Sequence, residues 1–402
     1  MDPASPPASP LPIPHIDAIQ ADAHKLYSKA WGVQWPRQTR TSLAPLPSSS
    51  NSATDADSRL GQERTQKQET FEYSYDCLTF LTSLPETFLP SPIDSGTSDS
   101  DTLVIMHEYA LLIDLITYGY ICDVRATAIT GQPGIGKSTF LLYLLLHRLS
   151  QRQPTALHLP STPHHYIVFD DEGADVYALD EISDRLRECV ALSDSAPSNA
   201  LVEEHPCACF LSRAARIIQT APPSTNSDTG WIKQLRGSVL VMALPSEREV
   251  GAVVKEKGYD PLASFAHTRK WGPCTRRVLD LLHSSAASNT QLENTERMLT
   301  RRAERAAVDI CASLYTHPTT GLTDQERLDA LVFYLKDKDK DNIHYFDLVC
   351  IRPARRIVQG NIKGWEGWEV VVPEGYLKGV FERERDSQWR RGRRIGGDGG
   401  EV

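Results

Sequence analysis

The chain contains no apolar run near the ~20 residues that a membrane-spanning helix needs, and its first residues lack the charged-then-apolar pattern of a secretory leader. None of its 8 cysteines forms a C-x-x-C pair. Cys207 and Cys209 make a C-x-C with His205 nearby, but further ligands at zinc-site spacing are missing, so the thiols read as reduced and structural. A net charge of -9 excludes a whole-molecule electrostatic footprint for nucleic acid. These absences predict an intracellular protein, cytoplasmic or nuclear, with no membrane contact. The 402 residues, 40% of them hydrophobic, suffice for one good core and a smaller second one.

Against that background one string stands out: Gly131-Gln132-Pro133-Gly134-Ile135-Gly136-Lys137-Ser138, a full match to the phosphate-loop pattern G-x-x-x-x-G-K-[ST]. A chance match in a chain of this length is on the order of one in a hundred. Val124–Thr130 before it reads as a strand, and Thr139–Leu149 after it as an apolar helix. Strand, loop and helix in that order predict a nest of inward-turned N–H groups at a helix N-terminus, made possible by the three glycines. Lys137 is expected to reach the β- and γ-phosphates, Ser138 to ligate Mg²⁺, and Thr139 to lie close to the α-phosphate.

Composition divides the chain into five stretches. Residues 1–70, rich in Pro, Ser, Thr, Asp and Gln, are expected to be mostly disordered, with a possible helix over Ile16–Trp31. Residues 71–101 form a partly ordered lead-in and linker. Residues 102–285 are the expected P-loop NTPase domain, an α/β fold whose parallel sheet is flanked by helices. Residues 286–382 form a smaller helical and α+β region. In that region Thr323–Leu335 reads as a helix and Lys336–Asp341 as a solvated, alternating-charge turn. Residues 383–402 are expected to be a disordered Arg/Gly-rich tail with a weak capacity for nucleic acid or acidic partners.

A phosphate loop binds; hydrolysis also needs a strand-end carboxylate to hold the metal. Two segments compete: Tyr166–Glu172 (Y-I-V-F-D-D-E), with Asp171, and Cys189–Asp194 (C-V-A-L-S-D), with Asp194. Spacing favours Asp194, because the chain between Ser150 and Asp170 already holds the strand Thr155–Leu159 and leaves no room for a helix. The D-D-E-G string also suits a hairpin tip. Asp171 remains the runner-up. Thr220, at the end of the next strand, is a candidate to hydrogen-bond water or the γ-phosphate, and Arg276 a candidate transition-state cation.

The strings I-T-G-Q-P-G-I-G-K-S-T-F-L-L-Y, Y-I-V-F-D-D-E-G, A-L-S-D-S, T-A-P-P-S, V-L-V-M-A-L-P-S-E-R-E and K-W-G-P-C-T-R-R, with M-H-E-Y (Met106–Tyr109) upstream, resemble a family of fungal P-loop NTPases. These look like the ATPase modules of Crinkler and retrotransposon-hot-spot type proteins. The resemblance spans about Leu103 to Leu282. It implies a hairpin before the metal strand, which supports Asp194, and it carries a Gly-Pro-x-x-Arg element onto Gly272, Pro273 and Arg276. The family's valine before the metal Asp is replaced by Ser193, and its arginine in the next strand motif by Pro223-Ser224.

Neither N-K-x-D nor T-K-x-D occurs, which removes the Asp that reads guanine, and L-S-G-G-Q is missing too. ATP with Mg is therefore the expected ligand. The expected activity is an ATPase driving a conformational or regulatory change. The alternatives are a nucleotide-binding switch or scaffold that recruits a protein partner through the C-terminal region, and a small-molecule kinase. No clustered acids and lysines support a nuclease.

Overall fold

A computed structural model describes residues 16–46, 69–79, 81–89, 102–119, 121–194, 206–222, 230–316, 343–353, 356–358, 361–363 and 368–396. The elements leading to the phosphate loop are α1 (Ile16–Ala30), β1 (Arg37–Pro45), β2 (Thr70–Thr79), β3 (Thr102–Val104), α2 (His107–Thr117), β4 (Ala126–Thr130) and α3 (Lys137–Ser150). They are followed by β5 (Thr155–His158), β6 (His165–Asp170), β7 (Gly173–Ala178), β8 (Val190–Asp194), α4 (Ala208–Arg213), β9 (Arg216–Thr220), α5 (Gly230–Gln234) and β10 (Ser238–Val241). Helices α6 (Glu247–Glu256), α7 (Pro261–Trp271), α8 (Thr275–Ala287) and α9 (Asn289–Thr316) complete the central part.

The main sheet has 7 strands in the order β10-β4-β9-β8-β5-β6-β7. β10, β4, β9, β8 and β5 run parallel, while β6 is antiparallel to both β5 and β7. Side chains alternate between two apolar layers, as the two-residue period of a strand requires. Ile129, Leu157, Ile167, Leu192 and Ile218 face the layer that contains α1, α2 and α3. Ala128, Ala156, Val168, Ala191 and Ile217 face the layer built by Phe210 of α4 and Trp231 of α5. With helices on both faces, this is the α/β P-loop sheet that the sequence predicts. Among the described residues, no helix is long and apolar enough to cross a membrane.

Three expectations change. First, the possible helix over Ile16–Trp31 is present as α1, but structure continues to residue 46, where composition suggests disorder. Ile19, Ala23, Leu26 and Ala30 recur at helical spacing and are buried against the core. β1 finds its partner β2 across a long gap, with Arg37 opposite Leu78 and Pro45 opposite Thr70. Second, a boundary at residue 102 would cut a sheet, since Thr102–Val104 pairs with Cys77–Thr79 of β2. Third, the expected tail from residue 383 belongs to a helix, Tyr376–Gly396, anchored by Leu377 and Val380 in the core of the C-terminal unit. The segments Thr323–Leu335 and Lys336–Asp341 lie outside the described residues.

The C-terminal unit pairs β11 (Cys350–Pro353) with the strand Trp368–Val371. Its core joins Leu299, Ala303 and Ile310 of α9 to Tyr345, Phe346, Val349 and Val370, and continues into Val241 of β10 and Trp271 of α7. The unit therefore sits beside the strand that flanks the phosphate loop.

Candidate nucleotide site

β4 ends at Thr130, and the loop Gly131–Gly136 leads into α3. Gly131, Gly134 and Gly136 have φ of 142°, 79° and 104°. Gly136 is the N-cap of α3 and makes no side-chain cap, so the positive end of the helix dipole opens on the loop. A Cβ on Gly136 would lie 2.5 Å from the Tyr109 hydroxyl, and one on Gly134 2.9 Å from both Arg276 Cβ and Cys274 Sγ. The loop is thus closely walled as well as left-handed. Lys137 Nζ reaches back to donate to Gly131 O at 2.9 Å and Gln132 O at 3.0 Å, spanning the loop.

The M-H-E-Y string is the wall. The buried Tyr109 hydroxyl donates to Gly136 O at 3.0 Å and hydrogen-bonds Thr139, and burial raises its pKa, which keeps it protonated. Glu108 accepts from the Ala243 backbone N–H at 2.9 Å, just beyond β10. Glu249 accepts from the His107 N–H at 2.7 Å and closes a capping box with Ser246 at the start of α6. Three consecutive residues of α2 thereby tie the loop, β10 and α6 together. Pattern reading finds the string but not these partners, because each lies far away in sequence.

Strand register decides between the two carboxylates. Ile129 pairs with Thr220, and Thr220 with Asp194, so all three lie in one row on the α3 face at the carboxyl end of the sheet. Asp194 is two strand spacings, about 10 Å, from the β4 backbone that feeds the loop. Thr220 Oγ1 donates to Asp194 Oδ1 at 2.5 Å. Asp171 lies elsewhere. Because β6 runs antiparallel, its last residues lie level with Thr155 and Val190 at the amino end of the parallel strands. Asp171 is exposed at the hairpin tip there, on the side of the sheet opposite the loop. The runner-up position is therefore corrected: strand direction removes Asp171 from the site. The neighbouring Asp170 is not merely solvated either, since Arg185 grips it with Nε at 2.6 Å and also pairs with Asp175.

The sequence positions thus sort by side of the sheet. Ser193, which stands where the resembled family has valine, faces the α4–α5 layer with Gln219 and His158, away from the loop. His158 is buried; burial lowers its pKa, opposed by a hydrogen bond with the Pro163 backbone and by the Asp194 charge. Arg276 is exposed beside Gly134, and its backbone N–H donates to Gly134 O at 3.2 Å. Its neighbour Arg277 is buried in a pair with Asp347 at 2.8 Å and is structural. Pro223 and Ser224 lie outside the described residues, as does His205.

The donors fit magnesium. Ser138 on α3 and Asp194 on β8 offer hard oxygen atoms, and the described residues contain no group of three or more metal-ligating His, Cys, Asp or Glu side chains. Magnesium is generally bound by one or two protein oxygens together with phosphate oxygens, rather than by an all-protein cage.

No protein-family model matches the chain, and no curated protein matches it, so the resemblance to the fungal family finds no support there. Among solved structures, the chain is similar to one described as the Aeropyrum pernix ORC2 protein in ADPNP–ADP complexes. The identity is 12%, the match covers 76% of this chain and 98% of that chain, and the TM-score is 0.30. At that identity and score the likeness assigns no ligand and no activity to this chain.

Proposed function

We propose that this protein binds ATP with Mg²⁺ in the loop Gly131–Ser138 and hydrolyses it slowly to drive a conformational change. The observation that supports this most is the Asp194–Thr220 pair, in register with Ile129 at the sheet end from which the loop departs. A crevice at the carboxyl end of a parallel sheet, at the strand where successive connections leave in opposite directions, is the general ligand position of open α/β folds. β4 lies at that point, since its own connection leads past β9 and β8 to β5 while the connection from its neighbour β9 crosses back over β4 to β10.

In this reading the backbone N–H groups of Gly134–Ser138 receive phosphate oxygens, and Lys137 exchanges its loop carbonyls for the β- and γ-phosphates. Magnesium, held by Ser138 and Asp194, would neutralise charge developing on the transferred phosphoryl group. Thr220 orients the Asp194 carboxylate through its hydroxyl and presents a neutral acceptor near the position of an attacking water. Arg276, exposed beside Gly134, is placed to approach the γ-phosphate as a cation.

A switch rather than a fast enzyme is favoured by one feature of the metal strand. Asp194 is followed by Ser195, so β8 supplies no second carboxylate to polarise water. The test is Mg²⁺·ATP binding and single-turnover phosphate release in four proteins. Wild type should bind and release phosphate slowly. Lys137→Ala should lose binding by at least ~100-fold, as loss of a charge-assisted phosphate contact predicts. Asp194→Asn should bind but lose turnover by ~10²–10³-fold. Asp171→Asn should match wild type. Wild-type protein that binds no ATP, or turnover that survives Asp194→Asn, would refute the assignment.

A further inference from the structure

The second residue of a phosphate loop is unconstrained by the pattern, yet here it is the most committed side chain in the site. Gln132 is 1% exposed. Its Nε2 donates to Phe346 O at 3.0 Å and to Val349 O at 3.1 Å, and its Oε1 accepts from the Ile351 N–H at 3.1 Å. Both donors and the acceptor are thus spent on the C-terminal unit, and none faces the phosphate nest. A second clasp closes on the same point. Arg277, at the start of α8, donates to Trp271 O at 2.7 Å, to Phe346 O at 2.8 Å and to Asp347 Oδ1 at 2.8 Å. Phe346 O accepts from both the loop and α8. On the other side of the loop, Cys274 Sγ donates to Pro133 O at 3.2 Å and the Arg276 N–H to Gly134 O at 3.2 Å.

Consecutive loop residues 132, 133 and 134 are therefore each held by an element other than the β4–α3 unit that carries them. A buried amide stripped of its partners leaves unsatisfied groups on both sides. The segment 343–351 consequently cannot withdraw from the core without disturbing the loop backbone beside Gly131 and Gly134. We propose that Gln132 is a positioning residue through which the C-terminal segment Ile343–Pro353 holds the phosphate loop in its nucleotide-binding shape. Nucleotide binding and docking of that segment are then reciprocally coupled: each strengthens the other by the same factor. This rests on the nucleotide reading above for its ligand, and adds the segment that senses occupancy.

The test uses the full chain. Hydrogen–deuterium exchange is followed over residues 131–138 and 343–353, with and without Mg²⁺·ATP, alongside the ATP dissociation constant. Gln132→Glu keeps the size and the acceptor but removes both donors. Wild type should show at least ~10-fold slower exchange over 343–353 when ATP is added. Gln132→Glu should bind ATP at least ~10-fold more weakly, show faster exchange over both segments without ATP, and leave the β6–β7 hairpin unchanged. If Gln132→Glu fails to fold, Asp347→Asn replaces it, with the same direction and a smaller effect. Unchanged ATP affinity in these variants, or ATP protection confined to 131–138, overturns the coupling. Wild type without affinity for ATP overturns the nucleotide reading instead; the clasp then fails if Gln132→Glu leaves exchange over 343–353 at the wild-type rate.

Discussion

Gly136 shows how much a single position can carry. Its φ of 104° lies where a side chain is strained, and a Cβ would approach the Tyr109 hydroxyl to 2.5 Å. Gly136→Ala should therefore combine a left-handed backbone cost of about 1–2 kcal/mol with an overpacking cost of about 1–3 kcal/mol. Tyr109→Phe removes the clashing oxygen while keeping the ring against Phe140. The double variant Gly136→Ala/Tyr109→Phe should accordingly be more stable than additivity predicts, by at least ~0.5 kcal/mol in a urea-denaturation cycle. Additive losses would mean that the hydroxyl is not the wall of the loop. The same scale explains the two neighbouring arginines. Alike in sequence, Arg276 stays exposed by Gly134 while Arg277 is buried with Asp347. Helical spacing turns them in different directions, and only the packing of the C-terminal unit decides which one is enclosed.

Among the elements, the edge of the main sheet is managed by a helix that composition alone would leave out of the fold. β7 is an edge strand, and Gln20 of α1 mimics a partner strand there. Its Nε2 donates to Ala174 O at 2.7 Å, and its Oε1 accepts from the Val176 N–H at 2.9 Å. Exposed edges invite pairing with other chains. Gln20→Ala should cost about 1–3 kcal/mol through two unsatisfied backbone groups and raise aggregation on heating. Urea midpoints and light scattering would read these two effects. A stability equal to wild type with no increase in scattering would show that the edge does not need this cap.

The N-terminal sheet is fastened in the same way from outside. Arg40 pairs with Glu256 of α6 at 2.5 Å, and the Tyr73 hydroxyl donates to Arg248 O at 2.8 Å. Elements before the phosphate loop thus brace helices that follow the last strand of the sheet. The strands themselves are legible in sequence where apolar runs are strong, as in Val124–Thr130 and Thr155–Leu159. The segment Asp184–Glu188 is a short 3₁₀ turn, from which Arg185 reaches the hairpin carboxylates Asp170 and Asp175.

For the whole molecule, one buried and two half-buried imidazoles bear on stability in acid. His147, His158 and His267 are all shifted below the ordinary value of 6.5, chiefly by burial. With a folded-state pKa below the unfolded value, the unfolded chain takes up more protons as pH falls through 6.5. Stability should therefore rise with pH across that region and be lost progressively below it. The urea midpoint should be lower at pH 5.5 than at pH 7.5 with an unchanged m-value, and His158→Gln should flatten the difference. A flat profile for wild type would mean that these rings are solvated.

The phosphate loop, the strand before it and the helix after it were decided by the sequence alone. Their chemistry is local: contiguous glycines, a lysine and a hydroxyl on one turn make an anion nest wherever they fold. Spacing also pointed to Asp194, since a hairpin leaves no room for a crossover helix. What the sequence could not decide is everything that depends on direction and distance. The antiparallel course of β6 carries Asp171 to the wrong end of the sheet. Pairing across a long gap orders residues 37–45, and the amide of Gln132 is turned toward a segment more than two hundred residues away. Those outcomes are set by strand register and by the need of buried polar groups for partners, and neither exists until the chain has folded.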